Sequence, residues 1–160
     1  MQDNMAKSAH SVQKTLNNSG LECTVLELAT STRTATDAAS SIGCNLSQIV
    51  KSLIFKTKDT CRPVLVLAAG SNKVNEKQIT SYVGETIVKA DADFTKEVTG
   101  FAIGGVPPIG HRNKIDLIFI DQELMSFDNV WAAAGTPNAV FCINSKDLLS
   151  LTNGRIIELS

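Results

Sequence analysis

"KSLIFKTKDTCRPVLVLAAG", residues 51–70, decides the architecture. Two runs rich in Val, Ile, Leu and Phe, 51–57 and 62–70, flank a polar break at Lys58, Asp59, Thr60 and Cys61. Apolar runs of strand length around a short polar turn predict a hairpin. The second run is the clearest buried strand in the chain. A hairpin here argues against a doubly wound parallel sheet, in which every strand is followed by a crossover helix.

Outward from the hairpin, strands outnumber helices. On the N-terminal side the reading is a helix from Ser8 to Asn18, with Val12 and Leu16 one turn apart and Gly20 as its stop. A strand follows at 23–28, and then an Ala- and Ser-rich helix from a Thr34 cap to Ile42, closed by Gly43. A helical turn at 46–50 leads into the hairpin. On the C-terminal side Asn75 opens a helix to about Tyr82, 86–90 is a short strand, and Asp91 caps a helix to Val98 with Gly100 behind it. Strands at 115–121, 129–135 and 139–144 follow, with a helical turn at 122–125 and the turn "GTPN" between the last two. Ser145 caps a final helix to Leu151, and "RIIEL" closes as an edge strand. Short turns with some helix–strand alternation predict a mixed, curved α/β (α+β) sheet with helices around it. No repeat, linker or low-complexity segment interrupts it, so residues 1–160 read as a single domain.

The composition agrees. A length of 160 residues and an apolar fraction of 43% suit one domain with a real core. Aromatic residues are 5%, so that core is expected to be Val, Ile, Leu and Ala. A formal net charge of −1 excludes a protein that coats nucleic acid through bulk positive charge. It leaves room for a local basic site: residues 51–77 hold Lys51, Lys56, Lys58, Arg62, Lys73 and Lys77 against Asp59 and Glu76. Such a flank is either a solvated mixed surface or the rim for an anionic partner. Cysteines stand at 23, 44, 61 and 142 without CxxC spacing, and His10 and His111 are the two histidines, so no metal site is legible. With no apolar leader at the start and no apolar run near 18 residues, the expectation is a cytoplasmic protein with reduced thiols.

None of the familiar catalytic motifs occurs. His111 lacks a sequence-local partner and reads as structural or solvated. Cys61 and Cys142 read as turn or core residues, and Asp91 and Asp93 as helix-start residues. Two features remain. "GGVPPIG", 104–110, combines glycines that admit close backbone approach with prolines that stiffen the chain. It is either a tight connector or a loop presenting fixed N–H groups to a developing negative oxygen. Lys51 stands where a helical turn meets an interior strand. Its ammonium is either solvated at the end of a snorkelling stem or held as a fixed charge for a phosphate or a carbonyl.

Residues 34–57, "TATDAASSIGCNLSQIVKSLIFKT", with "FAIGGVPPIGH" and "AAAGTPN", resemble the YbaK-like family of aminoacyl-tRNA deacylases. That family includes the editing insertion domain of bacterial prolyl-tRNA synthetases. The resemblance runs over nearly the whole chain and implies a mixed, curved, barrel-like sheet packed by helices. It implies hydrolysis of the ester joining a wrong amino acid to the tRNA 3′-adenosine. Lys51 would hold the tRNA 3′ end. The G-x-x-x-P loop from Gly104 through Gly105 to Pro108 would place the ester carbonyl and a water. Ser47, Ser52, Ile103, Val106, Gly110, His111, Gly135, Thr136 and Pro137 would surround the substrate. No cofactor and no membrane are implied. The partners would be the acceptor end of a mischarged tRNA and an aminoacyl-tRNA synthetase. Alanine, cysteine, serine and threonine all stay open as the amino acid removed. Because the chain has no room for a synthetase core, the first reading is a free-standing trans-editing enzyme. The second is a non-catalytic tRNA- or synthetase-binding module of the same fold. The third is a small-molecule hydrolase using the same loop.

Overall fold

The structure, a computed structural model, describes residues 6–29 and 34–159. The hairpin is its centre. Strands β2 (Ile49–Thr57) and β3 (Pro63–Ala69) pair antiparallel from Val50 opposite Ala69 to Lys56 opposite Pro63. The segments before them are α1 (Lys7–Asn18), β1 (Val25–Glu27), α2 (Ala35–Ile42) and a 3-10 turn at Leu46–Gln48. Following them are α3 (Glu76–Val83), β4 (Ile87–Lys89), α4 (Ala92–Thr99), β5 (Leu117–Asp121) and a 3-10 turn at Gln122–Ser126. The chain finishes with β6 (Asn129–Ala133), β7 (Ala139–Asn144), α5 (Ser145–Thr152) and β8 (Arg155–Ile157).

These strands form one sheet in the order β1-β7-β6-β2-β3-β5-β8, with β4 paired to β2 off that path. The pairs β2–β6, β3–β5 and β5–β8 are parallel and the others antiparallel, so the sheet is mixed as the sequence predicts. It is not closed: β1 and β8 are its two ends. Central β3 is fully buried from Val64 to Ala69 at 0% exposure, which explains its unbroken apolar run.

Side chains of a strand alternate between faces, and the core divides accordingly. One layer joins Val50, Ile54, Leu65 and Leu67 to Ala9, Val12 and Leu16 of α1 and to Phe101, Val106 and Ile109 of the glycine–proline loop. The opposite layer joins Phe55, Val64 and Val66 to Ile79 of α3, while Ala38 and Ala39 of α2 pack with Ile49.

The helix starts follow local chemistry. Thr34, Asn75 and Asp91 each accept a hydrogen bond from a first-turn N–H, as their residue types predict. The last helix departs from expectation. Asn144, not Ser145, is its cap, accepting from the Lys146 N–H at 2.9 Å. Asn is as strong a cap as Ser and comes one residue earlier. Ser145 is thereby free to tie the helix start to the preceding loop, its Oγ donating to the Phe127 carbonyl at 2.6 Å. Strand limits also shift. β1 is confined to Val25–Glu27, β2 begins at Ile49 because the helical turn stops at Gln48, and β6 stops at Ala133 before the Gly135 turn. Among the described residues no helix is long and apolar enough to cross a membrane.

Candidate active site

The loop of α4, the start of β2 and the end of β6 surround a cleft of about 830 Å³. It opens because the sheet splits. β6 pairs with β2 only at Ile49 and Val50, and β4 pairs with it only from Phe55 onward. Lys51, Ser52 and Leu53 lie in the gap and line the cleft.

A partly buried relay holds Lys51. Its Nζ donates to the Asn72 carbonyl at 2.5 Å. Asn72 Nδ2 in turn donates to Asp121 Oδ2 at 2.9 Å, and the same oxygen accepts the Ala69 N–H at 2.9 Å. Asp121 Oδ1 accepts the Glu123 N–H at 3.0 Å. Asp121, 1% exposed, therefore anchors the segment after β3 against the end of β5. Burial pushes the Lys51 ammonium below its ordinary range, Asp121 pulls it back up, and neighbouring Lys73 lowers it further. Lys73 and Lys89 also line the cleft, where Glu76 is the one carboxylate among the described lining residues. Histidine and cysteine are absent from that described lining.

Part of the glycine–proline loop, Ile103, Gly104 and Val106, forms another wall of the cleft. Thr99 anchors its root by accepting the Arg112 N–H on its carbonyl at 3.0 Å and the Phe101 N–H on Oγ1 at 3.0 Å. The Gly105 N–H closes a turn on the Ala102 carbonyl, and the Gly105 carbonyl accepts the Gly135 N–H at 2.9 Å. Close backbone approach at Gly105 is thus to the Gly135 turn: a Cβ on Gly105 would lie 2.9 Å from Gly135 and Thr136 main-chain atoms. Gly104 differs. It has φ +98°, which side-chain-bearing residues rarely adopt, and no atom within 4 Å of where a Cβ would stand. Among the described residues, neither the Gly104 N–H nor the Val106 N–H has a protein acceptor.

The remaining expected residues divide. Ser52, Ile103 and Val106 line the cleft with Lys51 and Gly104, and Ile103 is 58% exposed at the loop tip. Gly105, Pro108, Gly110, His111, Ser47, Gly135, Thr136 and Pro137 are not on its wall. Ser47 Oγ bonds Ser71 Oγ at 2.7 Å, joining the 3-10 turn to the loop that carries Asn72. His111 Nε2 lies 2.7 Å from the Pro107 carbonyl. A carbonyl only accepts, so Nε2 carries the proton and His111 clamps the loop from behind. Burial lowers its pKa below the ordinary histidine value, and the Pro107 bond opposes that. Thr136 Oγ1 bonds Asn138 Oδ1 at 3.0 Å within its own turn.

Asn72, Lys89 and Asp121 are cleft or supporting residues that sequence reasoning missed, and Lys73 was read only as one member of the basic flank 51–77. Asp121 carried one signal, an acid directly after the apolar run "LIFI", 117–120. Asn72 and Lys89 carried none, because only the fold brings them to β2.

The chain belongs to the aminoacyl-tRNA editing domain family, whose sequence pattern matches residues 29–151. It is 31% identical over 132 residues to the uncharacterized protein YwhH of Bacillus subtilis strain 168, covering 82% of this chain and 83% of that one. It is 35% identical over 101 residues to the proline–tRNA ligase of Limosilactobacillus fermentum, covering 61% of this chain and 18% of the ligase. A solved structure described as that of a candidate trans-editing enzyme for prolyl-tRNA synthetase superposes with a TM-score of 0.92 at 39% identity, over 98% of this chain and 99% of that one.

Proposed function

We propose that the protein is a trans-acting deacylase that hydrolyses the ester of a mischarged tRNA, with tRNA(Pro) carrying a small wrong amino acid as the first substrate to test. The observation that carries this reading is one cleft, running through the split in the sheet, lined both by a held Lys51 and by the loop whose Gly104 and Val106 N–H groups are unpartnered. Family membership and the similarity to proline–tRNA ligases support the choice of tRNA.

The chemistry asked of the site is modest. An aminoacyl ester is already activated, so orienting a water and stabilising the oxyanion can supply the rate. Lys51, with Lys73 beside it, takes the anionic 3′ end of the tRNA. The Gly104–Val106 main chain receives the ester carbonyl oxygen as it becomes an oxyanion. Water attacks the carbonyl carbon, the bond from that carbon to the ribose oxygen breaks, and the ribose oxygen takes a proton. The products are the free amino acid and a tRNA with its terminal hydroxyl restored. In this reading proton transfer falls to the substrate's own ribose hydroxyl and to water, with Glu76 the one carboxylate of the described lining.

A deacylation panel tests this: purified protein against tRNA(Pro) charged with Ala, Cys, Ser or Pro, and against cognate tRNAs charged with Ala or Thr. The expected result is rapid loss of one mischarged species with Pro-tRNA(Pro) spared. Binding of the charged tRNA without hydrolysis of any species would identify a docking module instead.

A further inference from the structure

The split in the sheet singles out one residue. Along one edge β2 pairs with β3 throughout, and beyond the ladder's ends the Gly70 N–H donates to the Ile49 carbonyl and the Thr57 N–H to the Arg62 carbonyl. Bonded residues alternate in an antiparallel ladder. Odd-numbered residues of β2 therefore turn their main-chain groups to β3, while Val50, Ser52, Ile54 and Lys56 turn theirs to the other edge. On that edge the β6 ladder ends at Val50 opposite Ala132, and the β4 side resumes with the Ala90 N–H on the Ile54 carbonyl at 3.3 Å. Ser52 falls between them, so its N–H and C=O have no ladder partner. Its Oγ is also buried with no hydrogen-bond partner. A single residue thus leaves a donor, an acceptor and a hydroxyl unsatisfied beside the cleft it lines. Native folds rarely leave buried polar groups orphaned without a use for them.

Position says what that use is. Ser52 shares its strand face with Val50 and Ile54, which belong to the same core layer as Val106. Ser52 and the loop N–H groups therefore serve the same side of the sheet, while Lys51 projects to the other. An α-amino ester presents two features to such a pair of walls. Its carbonyl oxygen accepts from the loop N–H groups. Its α-ammonium, two bonds from the carbonyl carbon, is a cation with three donors and needs acceptors, which the Ser52 carbonyl and Oγ supply. We propose that Ser52 reads the free α-amino group, so that the cleft cleaves aminoacyl esters and rejects N-acylated, peptidyl-like ones. This rests on the deacylase reading above.

The test compares single-turnover hydrolysis of alanyl-tRNA(Pro) and N-acetyl-alanyl-tRNA(Pro) by the wild type and by Ser52→Ala. A charge-assisted hydrogen bond corresponds to a factor of about 10 to 100. The wild type is expected to prefer the free amine by about 30-fold. Ser52→Ala should narrow that ratio to a few-fold by slowing the free-amine substrate alone, with a melting temperature no lower than wild type. Equal rates on the two esters by the wild type, or an unchanged ratio in Ser52→Ala, would overturn the proposal. If neither ester is cleaved, the deacylase reading fails on its own, and amine recognition is read by binding. The amide-linked analogue 3′-deoxy-3′-(alanylamino)adenosine and its N-acetyl form are titrated by NMR. Tighter binding of the free amine supports recognition by Ser52, and equal binding or none contradicts it.

Discussion

The two edges of β2 behave oppositely. Against β3 it pairs over seven residues, Val50 to Lys56, onto a strand buried along most of its length. Against β6 and β4 it pairs at its two ends and is left open in the middle. One strand thus carries a complete ladder on one side and an unfinished one on the other. Stability comes from the closed edge, and the polar groups free to meet a ligand belong to the open one. The same division appears in the glycine–proline loop. Gly105 is committed to the Gly135 turn, whereas the space a Cβ on Gly104 would take is open.

Substitutions can break this division, and the largest effect belongs to the closed edge. Leu67→Ala, at 0% exposure, should destabilise the fold by about 3 kcal/mol. The kcat/KM of the remaining folded protein on the ester should hold, and chemical denaturation alongside kinetics checks both. Gly105→Ala comes next. Its Cβ would meet main chain at 2.9 Å, which cannot swing away, so a loss of about 2 kcal/mol is expected by the same denaturation measurement. Gly104→Ala sharpens the contrast, because its site is open and only φ is strained. A loss of about 1 kcal/mol in stability is expected, with kcat/KM down by about tenfold as the N–H it carries is displaced. A Gly104→Ala variant less stable than Gly105→Ala would contradict the assignment of the two glycines.

The smallest effect is a pH dependence. His111 has a folded-state pKa below its unfolded value. Between the two values the unfolded chain binds more protons than the folded one, so stability falls as pH drops through that window and levels off below the folded value. Melting temperatures measured downward from pH 7 should therefore fall more in the wild type than in His111→Gln, which removes the titrating ring. Equal slopes would mean that His111 does not contribute.

What the sequence revealed was local. The hairpin follows from two apolar runs and a polar break, and the Thr34, Asn75 and Asp91 caps from short-range chemistry. Ser145 misled because Asn144, one residue before it, is as good a cap. The cleft is non-local. Its opening depends on where β6, about eighty residues beyond β2 in sequence, stops pairing with it, and on where β4 begins. Periodicity carries no information on that register. The Lys51–Asn72–Asp121 relay likewise joins three segments whose proximity exists only in the folded chain. Lys51 and Gly104 were legible because a family pattern marks them. Gly105 was legible as a close approach, but its partner, the Gly135 turn, was not.

The most direct test of the central claim is the rate of alanine release from alanyl-tRNA(Pro) by the wild type and by Lys51→Ala, measured under single-turnover conditions with the melting temperature of each. Hydrolysis by the wild type that falls about 100-fold or more in Lys51→Ala, with stability nearly unchanged, is the predicted result. Equal rates in two folded proteins would contradict the claim that the open edge of β2 is where the ester is cleaved.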